Sequence, residues 1–106
     1  MIEWTGEDVE SNIQEEEATV LYVQTPMCGT CQLAKRMLTV VEAALELTVG
    51  TVNLNYAPYL AERYEIESVP CLLVFKRGIV AKRMYAFQSV DFIYNELQKL
   101  DIFPKK

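Results

Sequence analysis

Apolar positions along the chain switch between two rhythms, one of strands and one of helices. Val9 and Ile13 stand four apart in a polar stretch, with Thr5 placed to cap and Asp8 at the capping-box position, so a first helix is predicted. "ATVLYVQ" (18–24) is a continuous apolar run rich in β-branched residues and reads as a central strand covered on both faces. From Cys28 onward the spacing turns helical: Leu33, Met37, Val41 and Ala44/Leu45 form a stripe, with Lys35, Glu42 and Glu46 off it. "GTVNLN" (50–55) alternates as a strand does. "YAPYLAERYEI" holds a short helix opened by Pro58. "VPCLLVF" (69–75) is a second buried strand with a proline at its entry. "KRG" (76–78) then turns the chain into "IVAKRM" (79–84), giving a hairpin. Ser89 caps a last helix with Asp91 in its first turn and Val90, Ile93, Leu97 and Leu100 facing in.

The predicted order is α-β-α-β-α-β-β-α. Helices alternating with buried strands, then a hairpin, give an α/β fold: a central mixed four-stranded sheet flanked by helices, with a right-handed βαβ unit. The 106 residues suffice for one domain, 1–106, and no repeat, linker or low-complexity tract divides them. Half the chain is apolar, enough for one core without disulfide staples. Three cysteines are odd in number and too few for a cystine scaffold. "MIEWTGEDVE" has neither a basic nor an apolar signal region, and the longest apolar runs fall far short of the roughly 20 residues that span a bilayer. A soluble cytoplasmic protein that engages no membrane is therefore expected. In that reducing compartment a close cysteine pair is catalytic or metal-binding more often than structural.

The net charge of −5 is unevenly spread. Residues 1–34 carry seven acids and no base, while 35–106 carry eight acids and all ten bases. A solvated acidic helix explains this, and a docking surface for a basic partner is the alternative. The one basic cluster, Lys76, Arg77, Lys82 and Arg83, is too small to predict nucleic-acid binding. Histidine is absent, which removes the commonest metal ligand and the commonest general base together.

"TPMCGTCQLA" (25–34) places Cys28 and Cys31 between the predicted strand and the long helix. Positions i and i+3 of a helix are neighbours, so the two sulfurs meet across one turn. Orphan N–H groups and the positive dipole end favour thiolate there, and thiolate is the nucleophile. Cys28 is expected to be exposed and activated, and Cys31 shielded one turn deeper. Gly29 leaves the backbone unobstructed, and Thr30 offers a hydroxyl near the sulfurs. This arrangement suits disulfide exchange: Cys28 attacks and Cys31 resolves, with no histidine needed. Two other readings compete. One is a redox-inert adaptor, although an adaptor does not require both thiols. The other is a metal site of Cys28, Cys31 and Cys71, which lacks the fourth ligand zinc usually takes.

The pair's context, with "SVPCLLVFKRG" about 40 residues later, resembles the thioredoxin family over roughly residues 7–100. The chain is similar to small thioredoxin-like proteins of the kind found in Gram-positive bacteria, with "CGTC" where thioredoxins carry C-G-P-C. The resemblance implies a thioredoxin-like fold and a protein-disulfide oxidoreductase with Cys28 attacking, Cys31 resolving and Pro70 as a cis-proline beside them. It implies no cofactor beyond the redox-active Cys28–Cys31 disulfide. Partners are disulfide-containing protein substrates and an electron-donating reductase or small thiol, and the protein is expected to be a monomer. Met27, Val69 and Ala86 fall in the substrate groove, where the Val69 backbone pairs with an extended substrate segment.

Several positions depart from the family pattern. Gln24 and Met27 replace tryptophans, Arg36 replaces a proline and Ala86, followed by Phe87, replaces a glycine. Tyr22 stands where the family has a buried acid and Thr51 where it has a lysine, and neither moves a proton at neutral pH. These substitutions bear on recognition by a standard reductase more than on dithiol chemistry. Thr30 in place of proline predicts an easier-to-reduce disulfide. With no basic residue between the cysteines, a Cys28 pKa toward the upper end of the range from about 3.5 to about 7 is expected. Cys71 is read as a small buried hydrophobe, with a third thiol near the site as the alternative. Trp4, Phe75, Tyr85, Phe87, Phe92 and Phe103 read as core or core-edge packing, and Tyr56, Tyr59 and Tyr64 as packing on the sheet around the third helix.

Overall fold

The computed structural model describes residues 1–100. The elements run β1 (Ile2–Glu3), α1 (Gly6–Glu15), β2 (Ala18–Gln24), α2 (Gly29–Leu45), β3 (Val49–Asn53), a 3-10 turn (Leu54–Tyr56), α3 (Tyr59–Arg63), β4 (Cys71–Lys76), β5 (Ile79–Met84) and α4 (Val90–Gln98). They build a sheet of order β1-β3-β2-β4-β5. The sheet has five strands, where the sequence predicts four.

The additional strand, β1, is two residues long and carries no periodicity to detect. It lies parallel to β3, Ile2 opposite Gly50 and Glu3 opposite Thr51, and the Trp4 N–H donates to the Thr51 carbonyl at 2.8 Å. Gly50 makes this possible, since a Cβ there would overlap the Trp4 ring. Gly50→Ala is expected to lower stability by roughly 1–3 kcal/mol through overpacking. It is also expected to shift the emission of Trp4, the chain's one tryptophan. Denaturant unfolding followed by fluorescence reads both, and an unaltered midpoint and spectrum would show that Trp4 is not seated on Gly50.

β2 lies at the centre, parallel to β3 and antiparallel to β4. Its side chains alternate between two buried clusters. Val20 and Tyr22 join Ala34, Leu38 and Val41 of α2 and Ile93 and Leu97 of α4. Leu21 and Val23 join Val9 and Ile13 of α1 and Leu60 of α3. Both faces are covered, which is why this strand is apolar at nearly every position.

Local chemistry explains the boundaries. Thr5 Oγ1 accepts from the Asp8 N–H at 3.1 Å and Asp8 Oδ2 accepts from the Thr5 N–H at 3.0 Å, a complete capping box for α1. Ser89 Oγ accepts from the Phe92 N–H at 3.1 Å to start α4, which buries Ile93 and Leu97 with Val90 and Leu100 packed beside them. β3 stops at Asn53, short of the predicted Asn55, because Asn53 Oδ1 captures the Asn55 N–H at 3.0 Å and turns the chain. β4 begins at Cys71 rather than Val69, since Pro70 has no N–H to give the ladder. The β4–β5 turn uses Arg77 at φ 51° and Gly78 at φ 81°, the positive values a tight hairpin demands.

The stripe predicted for α2 is shifted. The buried positions are Cys31, Ala34, Leu38 and Val41, while Leu33 is 57% exposed and Ala44 is exposed. Small side chains at 31 and 34 let the first turns of the helix approach the sheet, and the larger Leu33 is turned outward. Met37 and Leu45 pack at the edge of the cluster. Glu42, off the predicted stripe, accepts from the Val49 N–H at 2.7 Å and ties the helix to the start of β3.

Among the aromatics, Phe75 and Phe87 are buried, and Trp4, Tyr85 and Phe92 are partly buried at core edges. Tyr64 packs edge-on against Phe75 at 5.1 Å. Tyr56 is 88% exposed and Tyr59 lies over Arg63, so these two do not pack on the sheet as predicted; Ala57 and Leu60 take the inward positions instead. Phe103 lies outside the described residues.

Candidate functional site

The loop leaving β2 delivers Cys28 to the N-cap of α2, in extended conformation. Its Sγ accepts the Cys31 N–H at 3.1 Å, doing what a serine or aspartate oxygen does at other helix starts. Thr30 Oγ1 lies 3.3 Å from the same sulfur. Both contacts, with the positive end of the helix, favour negative charge on Cys28 once the pair is reduced.

Cys28 and Cys31 are joined as a disulfide, their Cα atoms 5.2 Å apart. Cys28 is half-buried and Cys31 fully buried, so a visiting molecule meets Cys28 first. Gly29 and Thr30 are exposed, and a Cβ at Gly29 would meet nothing within 4 Å. Neither a packing contact nor a positive φ requires glycine at this position. Arg36 is exposed, and α2 runs through it without a break.

The Val69–Pro70 peptide bond is cis, and both residues are half-buried. The Val69 carbonyl oxygen lies 4.0 Å from Cys28 Sγ, so the segment before β4 adjoins the Cys28 sulfur. Met27 is 94% exposed immediately before Cys28, and Ala86 is exposed just after β5. A cavity of about 450 Å³ lined by Trp4, Gln24, Pro26, Thr51, Asn53 and Tyr56, among others, adjoins the loop before Cys28.

Beneath the pair, Tyr22 and Thr51 face each other in register on β2 and β3, both buried. The Tyr22 hydroxyl donates to the Cys31 carbonyl at 2.6 Å, and its ring meets Phe87 edge-on at 5.8 Å. Burial pushes the Tyr22 phenol up to about 12, so it stays a hydrogen-bond donor and does not relay protons at neutral pH. Gln24 Nε2 donates to Thr51 Oγ1 at 3.3 Å. Among the described residues the buried polar side chains are Thr19 and Thr51, so no carboxylate is buried near the thiols. The sequence singles out Tyr22 for the acid it lacks and misses its contact with Cys31. The available signal is a tyrosine inside an otherwise apolar strand, whose hydroxyl must find a partner.

Cys71 does not join the pair. It packs with the α1 and α3 side of the sheet, whereas α2 covers the other face. Burial pushes its thiol up to about 11, against a smaller opposite effect of the Tyr85 hydroxyl. No cluster of three metal-ligating side chains occurs among the described residues. Cys71→Ala is expected to leave disulfide reduction within about twofold of the parent, because a buried neutral thiol is neither nucleophile nor ligand. In the reduced parent, iodoacetamide is expected to modify Cys28 well before Cys71. Mass mapping of the labelled peptides checks this, and faster labelling of Cys71 would contradict it.

Three residues of the small basic cluster have partners of their own. Lys82 pairs with Glu96 at 2.6 Å, Arg83 donates to the Tyr64 carbonyl at 2.8 Å, and Arg77 pairs with Glu17 at 3.4 Å. On the acidic α1, Glu10 pairs with Arg63. No described helix is long and apolar enough to cross a membrane.

The thioredoxin family model matches residues 1–99. The chain belongs to the thioredoxin family. Among thioredoxin relatives it is 48% identical over 86 residues to thioredoxin-like protein YusE of Bacillus subtilis, covering 80% of this chain and 81% of that protein. It is 32% identical over 73 residues to the thioredoxin of Chlamydia pneumoniae, covering 68% of this chain and 72% of that one. A solved mutant thioredoxin from Halobacterium salinarum superposes with a TM-score of 0.83 over 99% of this chain and 92% of its own, at 15% identity, a likeness of fold. The thioredoxin fold is thus shown, with the cysteine pair of a thioredoxin-like redox protein at disulfide distance.

Proposed function

We propose that this protein is a thiol–disulfide oxidoreductase that reduces protein disulfides in the cytoplasm as a monomeric, single-domain member of its family. One observation carries the reading. A half-exposed Cys28 and a buried Cys31 share a disulfide at the start of α2, with the Cys31 N–H directed at the Cys28 sulfur. The redox-active pair itself is the electron carrier, so the proposed chemistry requires no external cofactor.

In the reduced form the Cys28 thiolate attacks one sulfur of a substrate disulfide. The substrate S–S bond breaks, a Cys28–substrate bond forms, and one substrate thiolate leaves and takes up a proton. Cys31 loses its proton to water and attacks the Cys28 sulfur. The mixed disulfide breaks, the second substrate thiolate leaves, and two electrons have passed to the substrate. A reductase or small thiol restores the dithiol. The Val69 carbonyl, beside Cys28, is placed to accept a backbone N–H of an extended substrate segment. Nucleic acid is not among the proposed partners: Lys82 and Arg77 are paired with Glu96 and Glu17, and Arg83 donates to the Tyr64 carbonyl, which supports that reading.

The test is insulin reduction driven by dithiothreitol, followed by turbidity, with Cys28→Ser as control. The wild type is expected to accelerate precipitation well above dithiothreitol alone. No acceleration, together with a Cys28–Cys31 disulfide that cannot be trapped, would overturn the reading.

A further inference from the structure

We propose that Tyr22 is a positioning residue for the resolving step: its hydroxyl, bonded to the Cys31 carbonyl, holds the first turn of α2 on the central strand so that Cys31 stays aimed at Cys28 after the disulfide opens. The inference rests on the proposed oxidoreductase activity and deepens it.

The disulfide itself holds Cys31 only in the oxidised form. Once it is reduced, the covalent tether is gone, yet Cys31 must attack Cys28 in the mixed disulfide before solvent thiols intervene. The rate and equilibrium of that closure depend on how little freedom Cys31 has to lose. The Cys31 carbonyl belongs to the first turn of α2, and a carbonyl has two lone pairs. One serves the helix, and the other takes the Tyr22 hydroxyl at 2.6 Å in a buried setting. Tyr22 is in turn fixed by β2, paired on both sides, and by the edge of Phe87. The hydrogen bond thus connects the most constrained strand of the sheet to the backbone of the resolving cysteine. Its phenol remains protonated throughout the working range, so the contact persists as a donor while the thiols change state.

In the closing step the Cys31 thiolate, its proton given to water, forms the S–S bond with Cys28. The Cys28–substrate bond breaks and the substrate leaves as thiolate. Tyr22 exchanges neither proton nor electrons. Its effect is on the fraction of time Cys31 spends in attacking position.

The experiment is Tyr22→Phe, which removes the hydroxyl and keeps the ring against Phe87. The equilibrium constant for closing Cys28–Cys31 is measured in dithiothreitol buffers, alongside denaturant unfolding of the oxidised and reduced forms. Losing one pre-organising hydrogen bond is expected to lower the closure constant about three- to tenfold. Intramolecular displacement of thionitrobenzoate from its Cys28 adduct is expected to slow by a similar factor, with the first attack by Cys28 unchanged. A merely structural bond would lower the stability of both redox forms equally and leave the closure constant within about twofold, and that result overturns the proposal. Wild-type protein supplies an independent check. Its Tyr22 hydroxyl proton is expected to be protected from exchange in the dithiol form, and rapid exchange there also overturns it. Failure of the wild type to reduce insulin, by contrast, would strike the oxidoreductase reading itself.

Discussion

Replacing Cys28 by serine is expected to cut the protein-catalysed part of insulin reduction by on the order of a thousandfold or more, leaving the rate of dithiothreitol alone. A serine hydroxyl near neutral pH is almost wholly protonated, and an alkoxide is not stabilised by one N–H and a helix end as a thiolate is. The Cys31 N–H and the Thr30 hydroxyl would still find an oxygen at the N-cap, so the helix start survives while the nucleophile is lost. Unfolding is therefore expected to change little in the reduced state, and circular dichroism serves as the control for folding. Activity within tenfold of the wild type after the dithiothreitol background is subtracted would mean that another thiol carries the exchange.

The second large effect is of the opposite kind. Cys31→Ser is expected to stop turnover but to capture substrate, because Cys28 still attacks and nothing resolves the adduct. Cys31 is fully buried and one turn behind Cys28, the place from which it reaches the Cys28 sulfur and little else. Non-reducing gels of Cys31→Ser incubated with a disulfide-bonded protein are expected to show a covalent adduct that dithiothreitol releases. The double variant lacking Cys28 as well is expected to show none. An adduct that forms equally well without Cys28 would assign the attack to Cys71 and contradict its burial on the other side of the sheet.

Much of this architecture is legible in the residues. The run 18–24 reads as a doubly covered strand because its alternate side chains enter two different cores. Thr5 with Asp8 and Ser89 mark helix starts because their oxygens capture specific N–H groups. The cysteine pair is legible for the same reason: a strand end followed by a helix start dictates where both sulfurs go. Three features are not legible, each for a physical reason. β1 is too short for any pattern and exists through a complement, Gly50 beneath Trp4, that lies far off in sequence. The phase of α2 misleads because hydrophobicity favours Leu33, while close approach to the sheet favours Cys31 and Ala34. Tyr22 carries the clearest lesson. Its residue type shows only a missing acid, while the fold gives its hydroxyl a partner on the Cys31 backbone. Cys71 is adjacent to Pro70 in sequence, but strand alternation sends it away from Cys28.

The departures at Gln24, Met27 and Ala86 leave the thiol geometry intact and alter what surrounds it. Gln24 bonds Thr51 and borders the cavity beside the active loop, and Met27 stands free in solvent.

The most direct measurement is stoichiometric. Fully reduced protein is mixed with insulin without any other thiol, quenched in acid and analysed by mass. The protein is expected to lose the mass of two hydrogen atoms for each insulin disulfide opened, with the new bond mapped to Cys28 and Cys31. Insulin left intact beside a persistent dithiol, or oxidation mapped to a pair including Cys71, would contradict it.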